Sequence, residues 1–194
     1  MPVTKLHIPE DTAVKKTVLT FGLISGVISS ALMICFIPFY NRIGNDKALI
    51  LGYTSIVLSF LLVYFGIRSY RDNVGDGHIS FAKGFGIGIC ITLISCVFYV
   101  GTWEVLSRTV FQDFMDKYSA AMIAKAQASG ASAQVVEAKI AEIQHMKEMY
   151  AHPLYRMLMT FIEPFPIGLL ITLISAAVLR KKARPEAAQA AATA

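Results

Sequence analysis

The chain has 194 residues, of which 55% are hydrophobic, and its formal net charge is +5. This apolar content excludes an ordinary soluble domain and indicates an integral membrane protein. The basic residues flank apolar runs and form no patch with interleaved aromatic side chains, so nucleic-acid binding is not expected.

Two apolar runs in the first half of the chain have the length of a membrane-spanning helix, which needs about 20 residues. The first covers residues 17–40 and follows a polar segment, 1–16, that we interpret as a cytoplasmic tail. The second covers residues 48–67, after a short Asn-, Asp- and Gly-containing turn at 41–47. These runs predict the first two spans, with the lipid bilayer as their surroundings.

Small residues recur at a spacing of four in the first run and in a third run, residues 81–103. Gly22 and Gly26 lie in the first run, and Gly84 and Gly88 lie near the start of the third. Such a stripe on one helix face lets a second backbone approach closely, which predicts helix–helix packing. Small residues are also common in spans, so a chance arrangement is the alternative.

A short internal sequence similarity links the third run with a segment near the end of the chain. Residues 88–95 and 168–175 are identical at six of eight positions, and the two spans would cross in opposite directions. An inverted repeat is one interpretation. Convergence of two apolar segments on similar packing residues is the other, and it is favoured.

The long polar segment 105–152 carries two stretches with helical spacing on either side of Gly130. They predict an amphipathic helical hairpin whose apolar faces meet. The predicted first face is formed by Leu106, Val110, Phe114, Tyr118 and Met122. The predicted second face is formed by Val136, Ile140, Ile143, Lys147 and Tyr150.

Neither metal nor thiol chemistry is expected, and no cofactor is predicted. The cysteines lie inside apolar runs without a Cys-x-x-Cys pair, and they are Cys35, Cys90 and Cys96. Acidic and His residues recur at helical spacing late in the polar segment, at Glu142, His145, Glu148 and His152. A solvated helix face explains this recurrence better than a metal site.

The fourth apolar run, residues 157–179, contains the most informative side chain of the sequence. Glu163 lies near the start of this run and is followed by Pro164 and Pro166. An ionisable residue inside a span is costly and marks a candidate functional site. The prolines remove backbone donors, so the helix must bend or begin there.

A second carboxylate and two guanidinium groups are expected near Glu163. Glu104 ends the third run on the same side, and Arg108 and Arg156 flank that boundary. In the favoured interpretation, Glu163 accepts two hydrogen bonds from one of these arginines and stabilises the fold. In the other, desolvation makes Glu163 a protonatable site.

The distribution of lysine and arginine predicts the orientation, because short loops on the cytoplasmic side of a membrane are enriched in these residues. The short turn contains only Arg42 and Lys47. The opposite side contains more lysines and arginines and is predicted to be cytoplasmic. Both termini are then inside and the hairpin is outside. Residues 183–194 are predicted to be a disordered tail. The cations of the predicted cytoplasmic side are Lys5, Lys15, Lys16, Arg68, Arg71, Lys83, Arg180, Lys181, Lys182 and Arg184.

Several short motifs, taken in order, resemble a known family. They are Lys15-Lys16-Thr17-Val18-Leu19-Thr20-Phe21-Gly22, Leu51-Gly52-Tyr53, Phe65-Gly66-Ile67-Arg68-Ser69-Tyr70-Arg71-Asp72, and Gly84-Phe85 leading to Gly88. The chain resembles the bacterial membrane family known as domain of unknown function 4199 over residues 15–182. This resemblance implies a four-span inner-membrane protein and transfers no catalytic residue.

We therefore predict an all-α membrane protein with four spans, 17–182, and an external hairpin between the third and the fourth. Three functional classes are considered. A non-enzymatic protein that binds a partner at the hairpin, or a second copy of itself, is preferred. A small transporter or proton-coupled permease that uses Glu163 is the alternative. An intramembrane enzyme is the weakest, because no catalytic constellation is found.

Overall fold

The computed structural model describes the chain from residue 9 to residue 181, and the side chains of residues 37–49 are not described. The predicted tail at 183–194 and the first half of the predicted tail at 1–16, residues 1–8, therefore lie outside the described residues. The second half of the predicted tail at 1–16 is wrong in part, because the first helix already begins at Glu10. Within the described part the structure contains six helices. They are α1 (Glu10–Asn73), α2 (Phe81–Thr109), α3 (Phe114–Gln127), α4 (Ala133–Ala151), α5 (Pro153–Ile162) and α6 (Pro164–Leu179).

Helix α1 has 64 residues, yet its two halves lie side by side. The Ser25 hydroxyl donates to the backbone carbonyl of Ser59 at 2.9 Å, and the Tyr70 hydroxyl donates to Glu10 at 3.1 Å. In a straight helix Ser25 and Ser59 would lie about 50 Å apart, at 1.5 Å per residue. The chain therefore reverses direction within α1, between the segments Glu10–Phe36 and Ile50–Asn73.

Four segments of the described chain are long and apolar enough to cross a membrane. They are Glu10–Phe36, Ile50–Asn73, Phe81–Thr109 and Pro153–Leu179. This confirms the all-α membrane class with four candidate spans. The last segment consists of α5 and α6, with Glu163 between them. Pro164 begins α6, where a missing backbone donor costs little because the first helical N–H groups have no intrahelical partner.

The chain divides into two compact units. Residues 1–99 together with 164–194 form the first, which we call the bundle unit, and residues 100–163 form the second, which we call the hairpin unit. In the bundle unit the membrane-spanning segments pack through glycines. A Cβ atom at Gly22 would lie 3.0 Å from Ile94, and one at Gly26 would lie 2.5 Å from the ring of Phe98. These segments therefore approach as closely as a glycine allows.

Buried hydroxyl groups join the same segments. The Ser25 hydroxyl also lies 3.0 Å from that of Ser95, and the Thr92 and Thr172 hydroxyls are 3.0 Å apart. In hydrocarbon, a hydroxyl group must find its partner inside the protein, so these pairs stabilise the packed arrangement. The buried serine and threonine residues of the described bundle unit are Ser25, Ser29, Ser55, Ser59, Thr92, Ser95, Thr172 and Ser175.

The two similar octapeptides pack against each other in a reciprocal way. A Cβ atom at Gly88 would lie 2.8 Å from the Thr172 methyl group, and one at Gly168 would lie 2.5 Å from the Thr92 methyl group. Aligning the octapeptides pairs Gly88 with Gly168 and Thr92 with Thr172, so each contact is the image of the other. The similarity of the two octapeptides thus corresponds to a local two-fold relation between α2 and α6.

In the hairpin unit, α3 and α4 form the predicted pair of helices, joined around Gly130, which has a φ of +71°. At the base of the pair, Lys147 and Asp116 form an exposed ion pair of 2.6 Å. Within the two helices only Ser119 and Ile143 are buried.

The predicted first face of this hairpin is wrong in part. Val110 is 49% exposed and Tyr118 is 39% exposed. Val110 lies in the break between the end of α2 at Thr109 and the start of α3 at Phe114. A spacing of four overshoots one helical turn by about 40°, so five residues at this spacing cannot share one face.

A charged and aromatic cluster in the hairpin unit

The cluster is built around the Glu104 carboxylate, which lies in the last part of α2 and is 8% exposed. Arg156 of α5 donates from Nε to Oε1 at 2.7 Å and from Nη2 to Oε2 at 2.8 Å. Two parallel N–H···O bonds match the guanidinium to the carboxylate and fix the orientation of both side chains. The pair therefore connects α2 to α5, which are more than 40 residues apart in sequence.

Arg108 makes a weaker contact with the same carboxylate. Its Nη2 donates to Oε2 of Glu104 at 3.1 Å, one helical turn along α2. The Arg108 side chain is 60% exposed, whereas that of Arg156 is 12% exposed. Because solvent screens exposed pairs, Arg156 is the main partner of Glu104.

Tyr150 of α4 connects this pair to the aromatic residues. The Trp103 indole donates from Nε1 to the Tyr150 hydroxyl oxygen at 2.7 Å. The Arg156 guanidinium carbon lies 5.8 Å from the centre of the Tyr150 ring, in the range of a cation–π contact. Arg156 also donates from Nη1 to the Tyr150 backbone carbonyl at 3.5 Å.

Burial raises the pKa of the Tyr150 hydroxyl, and the nearby charges of Glu104 and Glu163 act in the same direction. The Trp103 hydrogen bond and the charge of Arg156 lower this pKa but do not outweigh burial. The raised pKa keeps the phenol protonated at neutral pH. The hydrogen bond that it accepts from Trp103 is therefore insensitive to pH in the neutral range.

The aromatic rings bring α2, α3 and α4 together. The Trp103 and Phe114 rings meet edge to face, with their centres 5.0 Å apart. Phe111 stacks on Trp103 at 5.9 Å, and the Phe114 and Tyr150 centres are 6.4 Å apart. Such ring pairs add to the free energy gained from burial alone. The cluster therefore links these three helices through partly buried rings.

The structure brings together three of the four residues that the sequence proposed as a polar site. Glu104, Arg108 and Arg156 are in direct contact. The sequence assigned the bidentate acceptor role to Glu163, and the structure gives this role to Glu104. Glu163 lies at the C-terminal cap of α5, and its charge acts on the Tyr150 hydroxyl.

The remaining proposed residues lie in the bundle unit. Pro164 is buried and Pro166 is exposed, both in the first turn of α6. The Gly84 and Gly88 positions contact side chains of neighbouring segments, with a Cβ atom at Gly84 meeting Ile67 at 3.4 Å. In the described part of the chain, no group of three His, Cys, Asp or Glu side chains is placed to hold a metal ion.

Sequence reasoning did not assign Trp103 or Tyr150 to the site. It placed Trp103 at the end of the third apolar run and Tyr150 on an apolar helix face. The signal that could have found them is their position, since Trp103 directly precedes Glu104 and Tyr150 comes six residues before Arg156. An aromatic residue with a polar edge, next to a buried charge, is a natural hydrogen-bonding partner.

The chemical capacity of the cluster follows from its hydrogen bonds. Both oxygens of Glu104 accept from guanidinium groups, Oε1 from Arg156 and Oε2 from Arg156 and Arg108. Hydrogen bonds to both oxygens fix the orientation of the Glu104 side chain. The cluster is therefore suited to holding α2, α3, α4 and α5 in a fixed arrangement.

Together, the helices and this cluster define an all-α membrane protein with a helical hairpin unit. The family described as Protein of unknown function (DUF4199) matches residues 20–181, and the chain belongs to this family. No match to the chain was found among curated proteins or among solved structures.

Proposed function

We propose that the chain is a multi-pass protein of the bacterial inner membrane that acts by binding a protein at its α3–α4 hairpin. The observation that carries this proposal is the small interior of the hairpin itself. Of the residues in α3 and α4, only Ser119 and Ile143 are buried. A helical pair that buries so little leaves most of its surface for another molecule.

A groove between the two helices supports a protein as the occupant. It has a volume of about 530 Å³ and is lined by Met122, Ala126, Val135 and Val136, with Lys125 and Lys139 among its polar residues. Methionine and aliphatic side chains adapt to varied apolar surfaces. Lys139 is bound to Glu142 at 2.7 Å, whereas Lys125 makes no ion pair with any described residue, which favours an acidic group on the partner.

The distribution of basic residues supports an external position for the hairpin. The segment between the first two spans contains only Arg42 and Lys47, and the side that carries both termini contains ten lysines and arginines. Long segments such as the hairpin have less weight in this rule, so the short connections decide the orientation. We infer that the termini are cytoplasmic and that the chain between the third and fourth spans is extracytoplasmic.

Reporter fusions test this orientation. A fusion of alkaline phosphatase, which is active only outside the cytoplasm, should be active after Gly130 and inactive after Lys182. A fluorescent protein that folds only in the cytoplasm should give the reverse result at the same two sites. Activity of the phosphatase after Lys182, with none after Gly130, would contradict the proposed orientation.

Site-specific photocrosslinking in cells tests the binding surface. A photoreactive amino acid at Val135, which lines the groove and is 58% exposed, should give one discrete protein adduct. The same residue at Glu137, which is exposed on the same helix but does not line the groove, is the matched control and should give much less of it.

The mass of the adduct distinguishes the two forms of the proposal. An adduct at twice the chain mass of 21.3 kDa would show self-association, and a discrete adduct of another mass would show a separate protein. Lipid adducts alone at Val135, or equal protein adducts at Val135 and Glu137, would remove the groove as the binding surface.

A further inference from the structure

One end of the bundle unit gathers the ends of several helical segments. The Lys83 ammonium at the start of α2 lies 2.9 Å from the Glu10 carboxylate at the start of α1. Ile79, just before α2, and Lys181, just after α6, exchange two backbone hydrogen bonds of 3.0 Å. The start of α1, the start of α2 and the end of α6 therefore lie at the same end of the unit.

The cations at this end fall into two groups. Lys83 is paired with Glu10, while Arg68 and Arg71 both contact Asp72, at 3.5 and 2.7 Å. The second group is exposed, and its side chains make no ion pair or hydrogen bond with any residue between 9 and 181. These unpaired cations are Lys15, Lys16, Arg180 and Lys181.

The unpaired cations border the apolar surface of the unit. Leu19, one turn after Lys15, is 53% exposed, and Val178, two residues before Arg180, is 68% exposed. In a helix that crosses a bilayer, such apolar side chains face the lipid chains. A cation within one turn of them lies at the depth of the lipid headgroups.

We propose that Lys15, Lys16, Arg180 and Lys181 form a binding surface for the headgroups of anionic phospholipids. A phosphodiester headgroup supplies the negative charge that these cations lack within the protein, whereas the acyl chains cover the exposed apolar residues beside them. The paired cations Arg68 and Arg71 contribute less, because Asp72 already neutralises part of their charge. This surface is independent of the hairpin and of the direction in which the chain crosses the membrane.

Native mass spectrometry of the purified full-length protein tests the proposal. The protein is equilibrated with equal amounts of phosphatidylglycerol and phosphatidylcholine in detergent, and the retained lipids are counted. The wild-type protein should retain phosphatidylglycerol preferentially. In the double variant Lys15→Gln/Lys16→Gln, the ratio of retained phosphatidylglycerol to phosphatidylcholine should fall about tenfold. Each juxtamembrane cation contributes roughly a fivefold factor or less to this ratio.

The matched control is Arg68→Gln/Arg71→Gln, which removes the same charge from the other half of α1. This variant should change the preference by less than about twofold, because its cations are already paired. Arg180→Gln/Lys181→Gln provides a second test at a different helix end, should Lys15→Gln/Lys16→Gln fail to fold. The proposal would be overturned if the wild-type protein showed no preference for phosphatidylglycerol. It would also be overturned if Arg68→Gln/Arg71→Gln reduced this preference as much as the variants of the unpaired cations do.

The source of the anion is tested separately. Inorganic phosphate, added in excess over the lipid at constant ionic strength, should not displace phosphatidylglycerol, because it lacks the acyl chains that cover Leu19 and Val178. Displacement by phosphate would show a site for a soluble anion and would overturn the assignment to a lipid.

Discussion

Replacing Arg156 with glutamine should be the most damaging single change in the hairpin unit. It removes both bonds of the bidentate pair and leaves Glu104, which is 8% exposed, with only the longer contact to Arg108. Breaking one side of a buried pair leaves an incompletely compensated charge, and the expected loss in unfolding free energy is about 2–4 kcal/mol. The measurement is thermal melting of the purified protein in detergent.

Arg108→Gln is the matched control for this change. It removes the same charge from a partner of the same carboxylate, but the Arg108 side chain is 60% exposed. Its loss should cost less than about 1 kcal/mol, the usual range for exposed pairs. Equal melting temperatures for Arg156→Gln and the wild-type protein would show that the pair does not stabilise the hairpin unit.

An alanine substitution at Gly88 should destabilise the protein, whereas one at Gly86 should not. At Gly88 the new Cβ atom would lie 2.8 Å from the Thr172 methyl group and 3.0 Å from Ile67, so the helices must separate. Overpacking of this kind costs about 1–3 kcal/mol. At Gly86, on the same helix, a Cβ atom meets nothing within 4 Å, so Gly86→Ala should leave stability unchanged or raise it by up to about 1 kcal/mol.

Both alanine variants can be measured by the same melting experiment and by their yield in membranes. The comparison isolates packing, because the two positions share the helix and receive the same side chain. A melting temperature for Gly88→Ala at or above that of the wild-type protein would show that α2 and α6 do not pack as closely as the structure indicates.

The fold class and the four spans could be predicted because length and hydropathy decide whether a segment can cross a membrane. The spacing of four also marked Gly22, Gly26 and Gly88, where a Cβ atom would lie within 3.0 Å of a neighbouring segment, whereas at Gly84 the nearest atom would be 3.4 Å away. The sequence could not show which helix each glycine contacts. That contact depends on the relative rotation of the helices, which a one-dimensional pattern does not contain.

The sequence proposed three of the charged residues of the cluster, but it did not give their pairing and did not include Trp103 or Tyr150. The sequence shows that Glu104, Arg108 and Arg156 lie near one boundary, but Glu104 and Glu163 are both close enough to compete for the arginines. The choice depends on the rotation of α5, which directs Arg156 toward α2. The hypothesis that Glu163 is a protonatable site stays a prediction.

The reciprocal contact between α2 and α6 has a consequence for biosynthesis. Thr92 and its partner Thr172 are separated by 80 residues, so at about 5–20 residues per second the ribosome needs roughly 4–16 s to make the second after the first. During this interval the Thr92 hydroxyl and the cleft beside Gly88 lack the helix that covers them. A nascent chain at this stage presents an unfinished surface to the lipid and to the proteases that remove incompletely assembled membrane proteins. Once α6 has been synthesised and packs against α2, it covers that surface.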